Sequence, residues 1–466
     1  MVFTTHIFVF YFLPLVLLVY YLLPRHRNAF LTIASYVFYG WWEPWFVLLM
    51  MTSTVVDYIC GGIIATPGAS ATRRRAALVT AIVCDLGLLA FFKYYVFTAE
   101  NVNVLLHVFG AGALPVLKIT LPIGISFYTF ESMSYTIDVY RGAVRRARSF
   151  SDLSCFISLF PHLVAGPIVR YNVVADQIAF REHTTEKFTH GIALFILGFA
   201  KKTLLANPMG ALADSVFAAQ SPLAVDAWLG VIAYAFQIYF DFSGYSDMAV
   251  GLSRLFGFVI PKNFATPYLA ESITDFWRRW HISLSTWLRD YLYIPLGGNK
   301  KGRRRTYINL AAIMLLGGLW HGANWTFVVW GAYHGSLLAF ERWRGKTAPY
   351  QWLPRGARVA VTFVLVLISW VLFRSPTLTA AIHYLGAMFG FSVAGRPAIL
   401  LAAEIYTPYY LVLLGLCAFL SFRRLEVYDW VTELAWPKAF ALVPLFLLAL
   451  GAMFTQGVNP FLYFQF

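Results

Sequence analysis

Long apolar segments, separated by short charged ones, make up most of this chain. Residues 307–330, for example, include no Lys, Arg, Asp or Glu. A helix needs about 20 such residues to cross the roughly 30 Å hydrocarbon core of a bilayer, because each residue adds about 1.5 Å. By that criterion the chain has roughly ten to twelve candidate spans. The pattern predicts an all-α polytopic membrane protein, organised as one membrane domain over residues 1–466.

The composition argues against the usual soluble classes. Of the 466 residues, 59% are hydrophobic and 12% are charged, whereas soluble proteins carry about 25% charged residues. So few charges cannot cover a water-soluble globule of this size, which excludes a cytosolic enzyme, a disordered chain or a fibrous repeat. The apolar runs also lack the alternation that is typical of a lipid-facing β-barrel.

Basic residues, which give the chain a net charge of +14, gather in short clusters between the apolar segments. Such clusters are typical of cytoplasmic loops, so we interpret them as orientation signals and expect no nucleic-acid partner. The first apolar segment, residues 3–23, lacks a basic start and a small-residue cleavage site, and we expect it to be a retained helix. Counting the spans between clusters places the first three clusters on the same side of the membrane. The clusters lie at residues 25–27, 73–75, 145–148, 300–305 and 423–424.

His321 is the first candidate for chemistry, because it lies inside the uncharged run 307–330. In one helix beginning with that run, it would lie about 20 Å along the axis and therefore inside the membrane. Imidazole exchanges protons near neutral pH, as acyl transfer to a hydroxyl requires. A packing histidine is the alternative. Gly317, Gly318 and Gly322 leave room either for a ligand or for close helix contact.

His281 is the second candidate, in the polar stretch 275–291. On one continuous helix, His281 would share a face with Arg278 and Ser285, opposite an apolar stripe. The charges suit an interfacial or re-entrant helix, and the cationic face could hold the phosphates of a coenzyme or lipid. Interfacial anchoring explains the arginines equally well but leaves the histidine unexplained. The stripe comprises Phe276, Trp280, Leu284, Trp287 and Tyr291.

Two carboxylates, Asp241 and Asp247, lie at the end of an otherwise apolar run. Charges at membrane depth require partners. We expect Arg278, Arg279 or a histidine to pair with them, in a role that is more structural than catalytic.

The other titratable residues give weaker signals. His334 follows His321 by thirteen positions and would face another side of the same helix, so we leave it outside the site. Cys60, Cys84, Cys155 and Cys417 are scattered, which indicates neither a disulfide framework nor a zinc site. No zinc-protease, serine-hydrolase, Walker or dinucleotide motif occurs, and we expect no metal and no bound cofactor. The histidines in ordinary contexts are His6, His26, His107, His183, His190 and His383.

The two histidine segments resemble the histidine motifs of the membrane-bound O-acyltransferase family. The matching sequences are Arg-Arg-Trp-His-Ile-Ser-Leu-Ser at 278–285 and Leu-Trp-His-Gly at 319–322. The start of the chain and three further segments resemble the bacterial, alginate O-acetyltransferase-like branch, so the likeness covers essentially the whole chain. These segments are residues 241–247, 291–299 and the aromatic end, 461–466.

The resemblance implies a fold, a site and a reaction. The fold is a multi-helix bundle with a central tunnel from the cytoplasm and a funnel that opens outward. His321 would be the catalytic histidine, and His281 would line the tunnel and assist. Acetyl-CoA would be the donor, its phosphates close to a basic surface for which cluster 300–305 is a candidate. A periplasmic or membrane-anchored partner protein would complete transfer to a polysaccharide, and membrane lipids would surround the bundle.

The expected protein is therefore an inner-membrane O-acetyltransferase for an exopolysaccharide such as alginate. The same fold could instead O-acetylate peptidoglycan or cellulose, or transfer D-alanine to teichoic acid. A transporter or flippase with His321 and Asp241 as proton-relay residues is a function of a different class. The lack of an evident repeat and the two histidine motifs argue against it.

Overall fold

The computed structural model describes residues 1–345, 348, 350–391, 396–457 and 461–462, with the side chains of 396–400 left out. The regular structure of these residues is entirely helical, which confirms the all-α prediction. In chain order, the α-helices of the described residues are α1 (Leu13–Leu22), α2 (Arg27–Gly40), α3 (Trp45–Ile64), α4 (Ala71–Leu89), α5 (Tyr95–Val108), α6 (Ile125–Arg141), α7 (Phe150–Ser158), α8 (Phe160–Leu163), α9 (Tyr171–Ala179), α10 (Thr185–Ala200), α11 (Asn207–Ala218), α12 (Ala224–Leu255), α13 (Ile273–Arg279), α14 (Ile282–Trp287), α15 (Gly302–His321), α16 (Trp325–Trp343), α17 (Arg355–Arg374), α18 (Leu378–Met388), α19 (Arg396–Ile405), α20 (Pro408–Ser421), α21 (Val427–Thr432) and α22 (Trp436–Thr455).

Short π-helical turns extend or join several of these helices. A π turn inserts one extra residue into a helical turn and so changes the direction of the side chains that follow. Because of these turns, α4 continues into α5 and α10 into α11 without a loop. The π turns of the described residues are Phe8–Phe12, Ala90–Tyr94, Lys201–Ala206 and Leu288–Tyr293, and a 3₁₀ turn covers Pro267–Leu269.

Several helices have the length and apolar character that a membrane span requires. Among the described residues, five continuous helices meet both criteria and three shorter ones are apolar, as expected of a multi-pass membrane protein. The predicted ten to twelve spans and the central tunnel stay predictions. The five are Trp45–Ile64, Ala71–Val108, Thr185–Ala218, Arg355–Arg374 and Trp436–Thr455, and the shorter three are Phe8–Leu22, Leu378–Met388 and Pro408–Ser421.

The helices cluster into two compact units. The first comprises residues 1–192 and 249–261, and the second comprises residues 193–248 and 262–466. Within the first unit, α3 packs against α4 and α6, while α2 packs against α7. Within the second unit, α15 packs along α16, which also contacts α13 and α17. The second unit contains both candidate histidines.

The uncharged run 307–330 is not one helix, so that prediction is wrong. Helix α15 ends at His321, and Gly322 is extended, with a φ of −167°. Asn324 then caps α16, because its side-chain oxygen accepts a hydrogen bond from the backbone N–H of Thr326 at 3.0 Å. An N-cap of this kind satisfies a donor that the first turn of a helix leaves open. The break places His321 at a helix end, beside the turn into α16.

The backbones of α15 and α16 come very close together. A Cβ atom at Gly318 would overlap the carbonyl oxygen of Phe327, and one at Gly331 would overlap that of Met314. Only glycine permits an approach of this kind. Of the two roles considered for the glycines near His321, Gly318 therefore serves close helix contact.

The stretch 275–291 is likewise not a single helix. Helix α13 ends at Arg279, and α14 begins only at Ile282. The predicted apolar stripe is buried along its whole length. The predicted face of Arg278, His281 and Ser285 is wrong, however, because Arg278 is exposed whereas His281 is fully buried. The break between the helices turns the histidine inward.

Candidate active site

His281 occupies the turn between α13 and α14 and is held there by Asn263. The Nδ1 atom of His281 lies 3.3 Å from Oδ1 of Asn263. The same oxygen accepts hydrogen bonds from the backbone N–H of Ser283 at 3.1 Å and from its hydroxyl at 2.9 Å. The backbone N–H of Ile282 also donates to the carbonyl oxygen of Asn263 at 2.9 Å. Asn263 therefore fixes both the imidazole and the turn that carries it.

These contacts also assign the proton on the His281 ring. Because Oδ1 of Asn263 accepts from the Ser283 N–H, the amide orientation is fixed and this oxygen can only accept. Nδ1 of His281 is then the donor, and in the neutral ring Nε2 carries the lone pair. In this tautomer Nε2 is the acceptor atom of the ring.

The backbone of His281 is in the left-handed region, with φ at +45° and ψ at 54°. Residues other than glycine seldom adopt this conformation, and it costs free energy unless the surroundings impose it. Here the hydrogen bonds to Asn263 impose it. Strain of this kind is concentrated at functional sites. The backbone conformation therefore supports His281 as a candidate, in addition to its sequence context.

Burial governs the charge of His281. The turn that carries it lies outside the helices that are long and apolar enough to cross a membrane. The side chain is fully buried, and burial lowers the pKa of His281 to about 3. The imidazole is therefore neutral at pH 7, and burial opposes its protonation.

His321 lies at the end of α15, close to His281 and inside a group of aromatic rings. The two imidazole centroids are 6.4 Å apart, and His321 is 4% exposed. The ring centroids of Trp320 and Trp330 each lie 5.1 Å from that of His321, and the centroid of Phe373 lies 5.3 Å from it. The structure thus brings both predicted histidines into one buried, aromatic-lined place.

His334 is closer to this site than we expected. Because α15 ends at His321, the argument from two faces of one helix does not apply to His334. The centroid of its ring lies 4.9 Å from that of Trp330, and Trp330 also contacts His321. Trp277 donates its indole N–H to Nδ1 of His334 at 3.3 Å. One tryptophan ring therefore contacts both histidines.

Asp241 and Asp247 pair with lysines and not with the residues we expected. Lys202 lies 2.7 Å from Asp241, and Lys201 lies 2.7 Å from Asp247. The other carboxylate oxygen of Asp241 accepts a hydrogen bond from the backbone N–H of Leu462 at 2.9 Å. The predicted partners Arg278 and Arg279 are wrong, since Arg279 pairs with Asp275. The structural role that we favoured for both aspartates fits these contacts.

The basic cluster 300–305 and His321 lie at opposite ends of α15. At 1.5 Å per residue, Gly302 and His321 are about 29 Å apart along the helix axis. The basic side chains of the cluster are exposed. A donor whose charged part remains at the cluster would therefore need a long, thin extension to reach the histidines.

Sequence reasoning missed Asn263 and Trp330, which hold or contact the two histidines, and it passed over His162. His162 lies in the first unit, where its Nδ1 atom is 2.9 Å from Glu131 and both side chains are buried. The sequence shows Asn263 only as a polar residue in the irregular segment before α13, which does not indicate a contact with His281. Within the described residues, no three His, Cys, Asp or Glu side chains are arranged to hold a metal ion.

Comparison with known proteins places this chain in a family. Residues 143–383, which include both histidines and His334, match the model of the membrane-bound O-acyltransferase family. The chain is 50% identical over 401 residues to the probable alginate O-acetylase of Pseudomonas aeruginosa, covering 84% of this chain and 75% of that protein. It is 43% identical to the probable alginate O-acetylase of Pseudomonas putida over the full length of both. It is also 34% identical to the peptidoglycan O-acetyltransferase of Helicobacter pylori, over 84% of this chain and 80% of that protein.

The matches confirm the resemblance that the histidine motifs carry, in its alginate O-acetyltransferase-like branch. They extend beyond these motifs to the whole length of the chain. They also identify the chain as an enzyme that transfers acyl groups. This protein belongs to the membrane-bound O-acyltransferase family.

Proposed function

We propose that this protein is an inner-membrane O-acetyltransferase that takes acetyl groups from cytoplasmic acetyl-CoA and passes them outward for O-acetylation of an exopolysaccharide such as alginate. The observation that carries the proposal is the pair of buried imidazoles, 6.4 Å apart, in a chain similar over its full length to a probable alginate O-acetylase. The expected donor, acetyl-CoA, has the elongated shape needed to reach from cluster 300–305 to His321, about 29 Å along α15. The pantetheine arm of coenzyme A is long and thin, so its phosphates can stay near a basic surface while the thioester reaches the histidines.

In the proposed reaction, His321 is the general base. It takes the proton of the acceptor hydroxyl as the hydroxyl oxygen attacks the thioester carbonyl. The new carbon–oxygen bond forms as the carbon–sulfur bond breaks, and the proton passes to the departing thiolate of coenzyme A. His281, held neutral by burial and oriented by Asn263, accepts a hydrogen bond through Nε2 from an N–H or O–H group of a reactant and positions it.

A partner protein on the outer side would complete the transfer. The chain lacks a serine-hydrolase motif of its own, so we propose a periplasmic or membrane-anchored acetyltransferase that receives the acetyl group and esterifies the polymer. Purified protein with acetyl-CoA alone should leave added polymer unmodified, and the added partner should restore esterification. Full esterification without the partner would contradict this part of the proposal.

Peptidoglycan is the second candidate acceptor, because one relative is a peptidoglycan O-acetyltransferase. Deleting the gene and measuring ester-linked acetate separately in exopolysaccharide and in peptidoglycan distinguishes the two acceptors. We expect the exopolysaccharide to lose its acetate, the wild-type gene to restore it, and His321→Gln to fail to restore it although the variant protein inserts normally. Loss confined to peptidoglycan would favour the second acceptor, and no loss in either polymer would overturn the proposal.

A further inference from the structure

A cavity of about 660 Å³ lies within the first unit and joins residues that are distant in sequence. It is lined by parts of the basic clusters 25–27 and 145–148 together with Arg181. The sequence analysis treats these two clusters as separate orientation signals. In the structure they belong to one concave surface.

Positive charge dominates this cavity. Four arginines line it, Arg25, Arg27, Arg148 and Arg181, against one lining carboxylate, Asp152. That carboxylate already has partners, because Nε of Arg148 lies 3.0 Å from it and the amide of Asn28 donates to it at 2.6 Å. The other three arginines therefore face no carboxylate among the residues that line the cavity.

Arg181 is held in a fixed position by its surroundings. Its Nε donates to the hydroxyl of Tyr20 at 2.8 Å, and its Nη1 donates to Oδ1 of Asn28 at 2.7 Å. The guanidinium also lies 4.4 Å from the centroid of the Phe258 ring. Its Nη2 is buried and has no hydrogen-bond partner among the described residues. A buried donor without an acceptor is unfavourable, so this atom favours an anionic oxygen as ligand.

His183 holds Arg27 without neutralising it. Burial, followed by the charges of Arg27 and Arg181, lowers the pKa of His183 to about 4. The neutral ring accepts from Nη1 of Arg27 through Nδ1 at 3.3 Å. Its Nε2 lies 2.8 Å from the hydroxyl of Tyr20, which donates its own hydrogen to the carbonyl of Phe256. The guanidinium of Arg27 thus keeps its full charge.

Membrane orientation alone does not explain this arrangement. Orientation requires only that basic residues stay on the cytoplasmic side. It requires neither a cavity nor a guanidinium fixed at three points. A guanidinium presents its N–H groups in a planar fork that matches the oxygens of a phosphate.

We propose that this cavity binds a phosphate group. Two sources carry that chemistry: the headgroup of an anionic phospholipid, and the phosphates of a coenzyme A thioester, the second of which rests on the proposed function. The cavity volume is within the range of about 300–1,000 Å³ that is usual for small-molecule sites.

The test compares two double variants of the full chain in detergent. Arg25→Gln with Arg27→Gln removes two of the three cavity arginines that face no lining carboxylate. Arg75→Gln with Arg145→Gln removes two exposed arginines that do not line it, from the clusters assigned to the same membrane side. Each protein is titrated with dihexanoyl phosphatidylglycerol, with dihexanoyl phosphatidylcholine and with adenosine 3′,5′-bisphosphate. These titrations need no acetyl transfer, so their outcome is independent of the proposed reaction.

We expect the wild type and the control variant to bind one of the two anionic probes, and the cavity variant to bind it roughly tenfold or more weakly. Preference for phosphatidylglycerol over phosphatidylcholine identifies a lipid headgroup, and binding of the bisphosphate identifies the coenzyme. Equal binding of both anionic probes by the cavity variant and the control would overturn the proposal. So would the absence of binding to the wild type.

Discussion

Asn263 is the residue on which the position of His281 depends. One side-chain oxygen serves three donors, on His281 and Ser283. Without that acceptor, the left-handed backbone of His281 would lose the contacts that compensate its strain. The orientation of a candidate catalytic ring therefore depends on a residue that lies 18 positions earlier in the chain.

Asn263→Ala should destabilise the protein, because it leaves buried donors without an acceptor at about 1–3 kcal/mol each. Ser283→Ala is the matched control: it removes one donor and leaves the acceptor in place, so its loss should be about 1 kcal/mol. Thermal unfolding in detergent measures both. Equal melting temperatures for the two variants would contradict the role assigned to Asn263.

Stability should also fall in acid, because His281 is buried in its neutral form. Its pKa is about 3 in the folded protein, against 6.5 for the free side chain. Between these two values the unfolded chain binds more protons than the folded chain, so stability rises with pH through this window and levels off above it. His281→Gln should reduce the slope of melting temperature against pH between pH 4 and 6.5. His6→Gln, at an exposed position, should leave the slope unchanged, and equal slopes for His281→Gln and the wild type would contradict this account.

Sequence reasoning selected the two candidate histidines but not the contacts that position them. His281 and His321 stand out because ionisable residues are rare in such apolar surroundings and because their neighbours form recognisable motifs. The contact with Asn263 depends on an irregular segment that no periodicity describes. The partner of Asp241, Lys202, was missed because it lies in an otherwise apolar stretch that is distant from Asp241 in the sequence.

At the scale of helices, the close approach of α15 and α16 places His321 beside Trp330. The carbonyl oxygens of Phe327 and Met314 occupy the space that side chains at Gly318 and Gly331 would need. The break between the two helices could have been predicted. Gly322 and Asn324 flank it, and asparagine is among the preferred N-cap residues. The break at His281 has no such signal in the sequence.

Gly318→Ala should separate these helices, because the added methyl group meets a backbone oxygen that cannot move alone. Overpacking of this kind costs about 1–3 kcal/mol. Gly415→Ala in α20 is the control, since a Cβ atom there meets nothing within 4 Å. We expect a lower melting temperature for the first variant and an unchanged or slightly higher one for the second. A drop of the same size in both would show that the contact is not specific.

The ion pair between Lys202 and Asp241 joins the π turn Lys201–Ala206 to α12. Both side chains are buried, at 4% and 1% exposure. Lys202→Met leaves the carboxylate without its cation and should cost about 3–5 kcal/mol. Lys202→Met with Asp241→Asn should recover much of that loss, because no buried charge then remains.

Arg289→Gln provides the comparison with an exposed pair. Arg289 pairs with Asp290, and its side chain is 58% exposed, so the change should be within about 1 kcal/mol. Melting temperatures of the three proteins give the ranking. A double variant no more stable than Lys202→Met alone would contradict the assignment of a buried pair.

At the scale of the whole molecule, composition and hydropathy were sufficient to predict a multi-pass, all-α membrane protein. They were less informative about where each helix begins and ends. Apolar runs such as 307–330 conceal breaks, and Lys201 lies within a continuous helix although it is charged. The family follows from short motifs together with full-length similarity, and the proposed reaction depends on the two histidines alone.

Acetyl transfer from labelled acetyl-CoA by the purified protein in lipid nanodiscs tests that central claim most directly. The acceptor is the partner protein, because the protein alone is expected to leave the polymer unmodified. We expect His321→Gln to lower the transfer rate by about 10²–10⁴-fold, the usual contribution of a general base, while its melting temperature stays that of the wild type. His383→Gln, which changes a histidine outside the site, should keep the wild-type rate. Transfer by His321→Gln at the wild-type rate would contradict the account.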